Sequence, residues 1–194
     1  MNTGYRIKNN KGFTLVELIV SISIFAMMTA LVVAKYGNFN QSVLLTNLAY
    51  DVALTIRTAQ TYGVSVRQEG GDFTHPYGVF FSSDAGKNTQ FTFFADTDIG
   101  SPGYYDVGDQ IIKTYTLKRG AIIQTICMEF ACKPEKNESE LHVTFKRPNP
   151  DALICVPSSC GVSPETYAKI IIQGTDGSTR GVIVRSNGQI AVDD

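Results

Sequence analysis

Lys11-Gly12-Phe13-Thr14-Leu15-Val16-Glu17-Leu18-Ile19-Val20 joins a short basic leader to a long apolar segment. From Phe13 to Ala34 run 22 residues that carry one charge, Glu17. A helix of that length spans the ~30 Å hydrocarbon core of a bilayer. A lone carboxylate near its start needs a partner, because charges inside a membrane are costly and are usually paired. Arg6, Lys8 and Lys11 precede the apolar run, and little positive charge follows before Lys35. The positive-inside rule then keeps the start cytoplasmic and sends the bulk of the chain outward. The alternative is a secretory signal cut after Val32-Val33-Ala34. Against it, the 17 uncharged residues from Leu18 to Ala34 exceed the usual ~7–15-residue apolar core of a signal peptide, and Glu17 has no role in one.

The unbroken stretch Gly12-Phe13-Thr14-Leu15-Val16-Glu17 resembles the processing site of type IV pilins and pseudopilins, the class III signal peptide. The resemblance implies a prepilin peptidase that cuts after Gly12 and methylates the new amine of Phe13. It implies that Glu17 neutralises the amino terminus, Phe13, of a neighbouring subunit. The partners so implied are that peptidase, other pilin or pseudopilin subunits, and the membrane. The implied location is a single pass through the inner membrane with the N-terminus cytoplasmic and the C-terminal domain extracytoplasmic, then a filament after assembly. Major pilins often carry a proline near the end of the apolar segment. Ala34 stands there in this chain, so no proline-driven kink is expected.

Removal of residues 1–12 leaves 182 of the 194, enough for one globular domain plus an extended element. The leader holds three of the 17 basic residues, so the remainder carries 14 Lys and Arg against 18 Asp and Glu, a net charge of −4. From Asn38 the pattern turns amphipathic. Leu44, Leu48, Val52, Ile56 and Ala59 recur at helical spacing, with Leu45, Ala49 and Ala53 beside them. No proline falls between Phe13 and Tyr62. One helix of about 50 residues, ~75 Å long, is predicted. Gly37 is its weak point and Gly63 its stop.

Beyond Gly63 the sequence reads as β. Aromatic or β-branched runs lie at 77–81, 91–95, 110–117, 120–127, 140–146 and 151–156. Three more short strands end the chain, at about 168–173, 180–185 and 189–192, with turn signals Asp176-Gly177 and Asn187-Gly188 between them. The fold class is α+β: a long N-terminal helix packed on an antiparallel sheet or two packed sheets. The expected divisions are a leader at 1–12, a helix at 13–62 with 13–34 transmembrane, and a β-rich extracytoplasmic domain at 63–194. Within the superfamily, Asn47-Leu48-Ala49-Tyr50-Asp51-Val52, Gly181-Val182-Ile183-Val184 and Gly188-Gln189-Ile190 resemble the pseudopilin H and FimT-like branch of minor subunits.

Four cysteines form two C-x4-C pairs, Cys127/Cys132 and Cys155/Cys160. Outside the membrane these read as disulfides, with local bridges the first choice among three connectivities. A zinc site of all four, or free thiols, are the alternatives. The Gly-rich loop after the 91–95 run holds Asp96, Asp98, Asp106 and Asp109, hard oxygens of the kind calcium takes. It departs from an EF-hand loop, since Gly100 stands where a ligand belongs and no Glu closes it. The alternative is a solvated acidic turn. His75 and His142 have no partner motif for catalysis, and no hydrolase, metalloprotease or phosphate-loop signature occurs. The resemblance therefore implies a structural minor subunit of a type IV pilus or type II secretion pseudopilus, not an enzyme. A DNA-binding subunit of an uptake pilus is the alternative, with Lys146, Arg147, Arg180 and Arg185 as phosphate contacts. Residues 63–194 hold 12 basic against 16 acidic side chains, which weighs against nucleic acid.

Overall fold

The computed structural model describes residues 12–65, 75–97, 103–129, 132–133, 137–157 and 164–193, with the backbone alone at 35–40. The chain divides into two compact units, Met1–Asn40 and Gln41–Asp194. One helix, α1 (Leu15–Val64), contributes to both. Its helical assignment passes through Gly37 without a break, as expected from the absence of proline.

In the first unit every side chain from Leu15 to Ala34 is exposed, Phe25 by 72%. The span Leu15–Ala34 has a mean hydropathy of 2.3, long and apolar enough to cross a membrane. Ser21, Ser23 and Thr29 are its hydroxyl residues within the helix. Each donates to the carbonyl four residues back, those of Glu17, Ile19 and Phe25, at 2.7–2.8 Å. No hydroxyl on this stretch is left to compete for solvent; Glu17 is its one charged group.

The second unit packs the rest of α1 with two five-stranded antiparallel sheets. The strands are β1 (Tyr77–Ser82), β2 (Gln90–Ala95), β3 (Gln110–Thr116), β4 (Ile122–Cys127), β5 (Asn137–Glu138), β6 (Glu140–Phe145), β7 (Ala152–Cys155), β8 (Tyr167–Gln173), β9 (Thr179–Arg185) and β10 (Ile190–Asp193). One sheet has the order β3-β2-β1-β6-β7 and the other β10-β9-β8-β4-β5. All nine expected runs are strands. The addition is β5, two polar residues that carry no periodic signal and pair with Ile126 and Cys127.

The core follows from alternation. In β8 every second residue is buried (Ala168, Ile170, Ile172), and the register sets Val184 and Val182 of β9 beside the first two. In the first sheet Tyr77, Val79 and Phe81 of β1, Phe91 and Phe93 of β2, and Leu141, Val143 and Phe145 of β6 face inward. The helix contributes Leu45, Ala49, Val52, Ala53, Ile56 and Ala59 to the same cluster, a 3.6-period stripe. Polar side chains fix the helix to the second sheet. Arg180 donates to Thr46 and Ser42, Arg57 to the Ile190 carbonyl, and Gln60 to the carbonyls of Pro150 and Gly188.

Gly63 does not end the helix, which runs on to Val64. A Cβ there would press on the Phe145 backbone, with its carbonyl carbon at 2.8 Å. The glycine lets the last turn approach β6; it is a packing residue rather than a terminator. At Gly188 the turn expectation holds: its φ is +81°, and Asn187 Oδ1 accepts from the Gln189 amide to close the β9–β10 corner.

Candidate functional site

Gly12 and Phe13 precede the helix in exposed, non-helical backbone, and nothing lies within 4 Å of where a Gly12 Cβ would be. Phe13 is 76% exposed. Thr14 is the residue before the first helical turn, and its carbonyl accepts the Leu18 amide at 3.1 Å. Its hydroxyl accepts from the Glu17 amide at 3.3 Å and donates to Glu17 Oε2 at 3.4 Å. This is a variant of the capping box, with Thr at the cap and Glu three residues on. It turns the lone carboxylate of the apolar segment back toward the helix start, where the positive end of the helix dipole favours it. The Thr-x-x-Glu spacing is visible in the sequence, and it is the signal that marks Thr14 as the cap.

Residues 7–33 match the model for the prokaryotic N-terminal methylation motif. The match lies at the amino terminus and covers 27 of the 194 residues. No curated protein and no solved structure matches it. The motif implies processing and methylation of the amino terminus by a prepilin peptidase. The apolar span Leu15–Ala34, which the match overlaps, is long and apolar enough to cross a membrane.

Elsewhere in the chain the other expected residues fall as follows. Cys127 and Cys132 are joined by a disulfide, with Cα atoms 5.0 Å apart. Cys155 is also disulfide-bonded, and Cys160 lies outside the described residues. Residues 103–109 of the acidic loop lie against the outer face of the first sheet, where the Tyr105 ring stands 5.2 Å from that of Phe80. Asp96, buried at the end of β2, accepts the Gly103 amide at 2.7 Å. Asp109 accepts the amides of Thr97 and Asp106, each at 3.0 Å, and Asp106 accepts that of Gly108 at 2.7 Å. Their oxygens thus cap backbone N–H groups, the local bonding that favours Asp in turns. Asp98 lies outside the described residues, and among those described no group of three or more His, Cys, Asp or Glu is placed to hold a metal.

His142 is 2% exposed on the outer face of β6. Its Nδ1 accepts the Tyr105 amide at 2.9 Å, and its ring lies 4.9 Å from that of Phe80 and 4.5 Å from that of Tyr104. Burial pushes its pKa down to about 4, so the ring is neutral and can accept that bond. Sequence reading gave His142 a strand position but no such role, because its partner is a backbone amide 37 residues away. Among the basic residues, Arg180 is tied to α1 as described, and Arg185 lies over the ring of Tyr167 at 5.7 Å.

Proposed function

We propose that this chain is a structural minor subunit of a type IV pilus or type II secretion pseudopilus, of the pseudopilin H or FimT-like branch. Residues 1–12 are the leader, cut after Gly12, and Phe13 becomes the N-methylated first residue. The helix from Phe13 to Ala34 anchors the precursor, N-terminus inside and residues 63–194 outside. It then joins the helices of neighbouring subunits.

One observation carries this reading: over Leu15–Ala34, the span that the methylation-motif match overlaps, α1 is apolar and exposed on all sides. A surface apolar on every side suits lipid or a bundle of like helices, not water. Glu17 is the sole charge on it, and another subunit's amine at Phe13 supplies the partner that a buried carboxylate needs. Mass spectrometry of the mature N-terminus tests the processing. A chain beginning at N-methylated Phe13 is expected, and a Gly12→Val chain is expected to remain a full-length membrane-bound precursor. Normal maturation of Gly12→Val would refute this assignment.

A further inference from the structure

We infer that the outer face of the first sheet carries a binding site for a neutral carbohydrate. A cavity of about 410 Å³ opens there between the β1–β2 turn and the loop after Gly103. Its lining combines three kinds of chemistry.

The first is aromatic. The rings of Phe80 and Tyr105 stand 5.2 Å apart, both half-buried, so each keeps part of its surface open at the cavity. Phe80 also packs on the His142 ring at 4.9 Å and Tyr105 on Phe94 at 5.1 Å, so what the pair presents to the C–H groups of a sugar is its open apolar edges. The second is carboxylate. Asp106 and Glu140 line the cavity, and the cation in the lining, Lys87, lies 3.4 Å from Glu140. Two acids against one base disfavour phosphate, sulfate and uronate ligands, whereas sugar hydroxyls donate well to carboxylates. The third is an uncharged polar floor. Gln90 and Thr92 line the cavity from β2, and strand register sets Thr116 and Thr114 of the exposed edge strand β3 opposite them on the same face. That row lengthens the floor past the cavity with more donors and acceptors and no charge. An open apolar wall with a few convergent polar groups is the general make-up of a small-ligand site. Neutral polyhydroxyl compounds are the class that satisfies all three parts.

This inference goes beyond the subunit role. The mature full-length protein in zwitterionic-lipid nanodiscs would be titrated with cellotetraose, chitotetraose and mannotetraose, and with tetragalacturonate as the charged counterpart. Saturation-transfer NMR and calorimetry read the binding. Saturable binding of at least one neutral tetrasaccharide is expected, with none for tetragalacturonate. Gln90→Ala and Glu140→Gln are each expected to weaken binding about tenfold or more. Both sites are at the surface, where substitutions disturb the fold little. No saturable binding of any neutral tetrasaccharide would overturn the inference. So would affinity unchanged in both variants, or tetragalacturonate binding as tightly as the neutral sugars. Filament incorporation of the same two variants, scored separately, reports on the subunit role, so failure of one reading is not mistaken for failure of the other.

Discussion

Two stretches of α1 have the same backbone and opposite surroundings. Over Leu15–Ala34 every side chain is exposed, and nearly all are apolar. Over Leu45–Ala59 one stripe is buried, with Ala49, Ile56 and Ala59 at 0% exposure, while Asn47, Tyr50, Asp51 and Leu54 face out. Helix propensity does not separate the two stretches; the distribution of polar residues around the axis does. The first stretch is suited to an apolar solvent. The second brings its apolar partners with it, in the two sheets. The comparison teaches that a helix can be one element in backbone terms and two in energetic terms.

The largest effect expected is at the charged end of the first stretch. Glu17→Ala leaves the leader and the apolar run intact, so insertion and cleavage should proceed. In an assembled bundle the amine of a neighbouring chain then lacks its carboxylate. Loss of one partner of a buried ion pair costs about 3–5 kcal/mol. The variant should drop out of filaments, as read by crosslinking and co-purification at matched membrane levels. Equal incorporation with wild type would reject the pairing while leaving the fold untouched.

A paired substitution sharpens the contrast between the stretches. Ile56→Ala opens a cavity in the core and should destabilise the second unit by about 2–5 kcal/mol. Ile22→Ala, on a residue 59% exposed, should leave that unfolding transition where it is. Chemical denaturation of the two variants in one detergent provides the test, and equal shifts would abolish the distinction.

Acid should weaken the second unit through His142. Its folded pKa of about 4 lies below the ordinary value of 6.5. The unfolded chain therefore binds a proton at a higher pH than the folded one. The stabilisation is fully present above pH 6.5 and is lost as pH falls from 6.5 toward 4, amounting to about 3 kcal/mol. Below that window the contribution is flat. His142→Gln should remove this part of the pH dependence, measured as denaturation midpoints between pH 4 and 7.

The smallest effect sits at the end of α1. In an ordinary helix Gly→Ala gains up to about 1 kcal/mol. At Gly63 the added methyl meets the backbone of Phe145, and overpacking of this kind costs about 1–3 kcal/mol. The net sign expected for Gly63→Ala is destabilising. A higher melting temperature would show that the helix end can move away from β6 freely.

The helix and the nine longer strands were legible because each carries its own period, 3.6 along Leu45–Ala59 and 2 along stretches such as Tyr167–Gln173. What stayed hidden depends on distant neighbours. Gly63 looks like a stop until Phe145 is seen beside it. The order β3-β2-β1-β6-β7 places Phe80 next to His142, residues 62 positions apart in sequence. The same distance effect governs the two candidate sites. Gly12 to Glu17 is contiguous and could be read directly. The cavity gathers β1, β2, β6 and a loop, so no short stretch announces it.

The hydroxyls of Ser21, Ser23 and Thr29, each turned onto its own helix, bear on which media this segment can enter. Hydroxyls satisfied within their own helix have no bond to surrender when the segment changes medium. Passage from lipid tails into a sheath of other helices exchanges one oily neighbour for another and is close to thermoneutral for those side chains. The selectivity of that passage is then left to the one acid at its mouth.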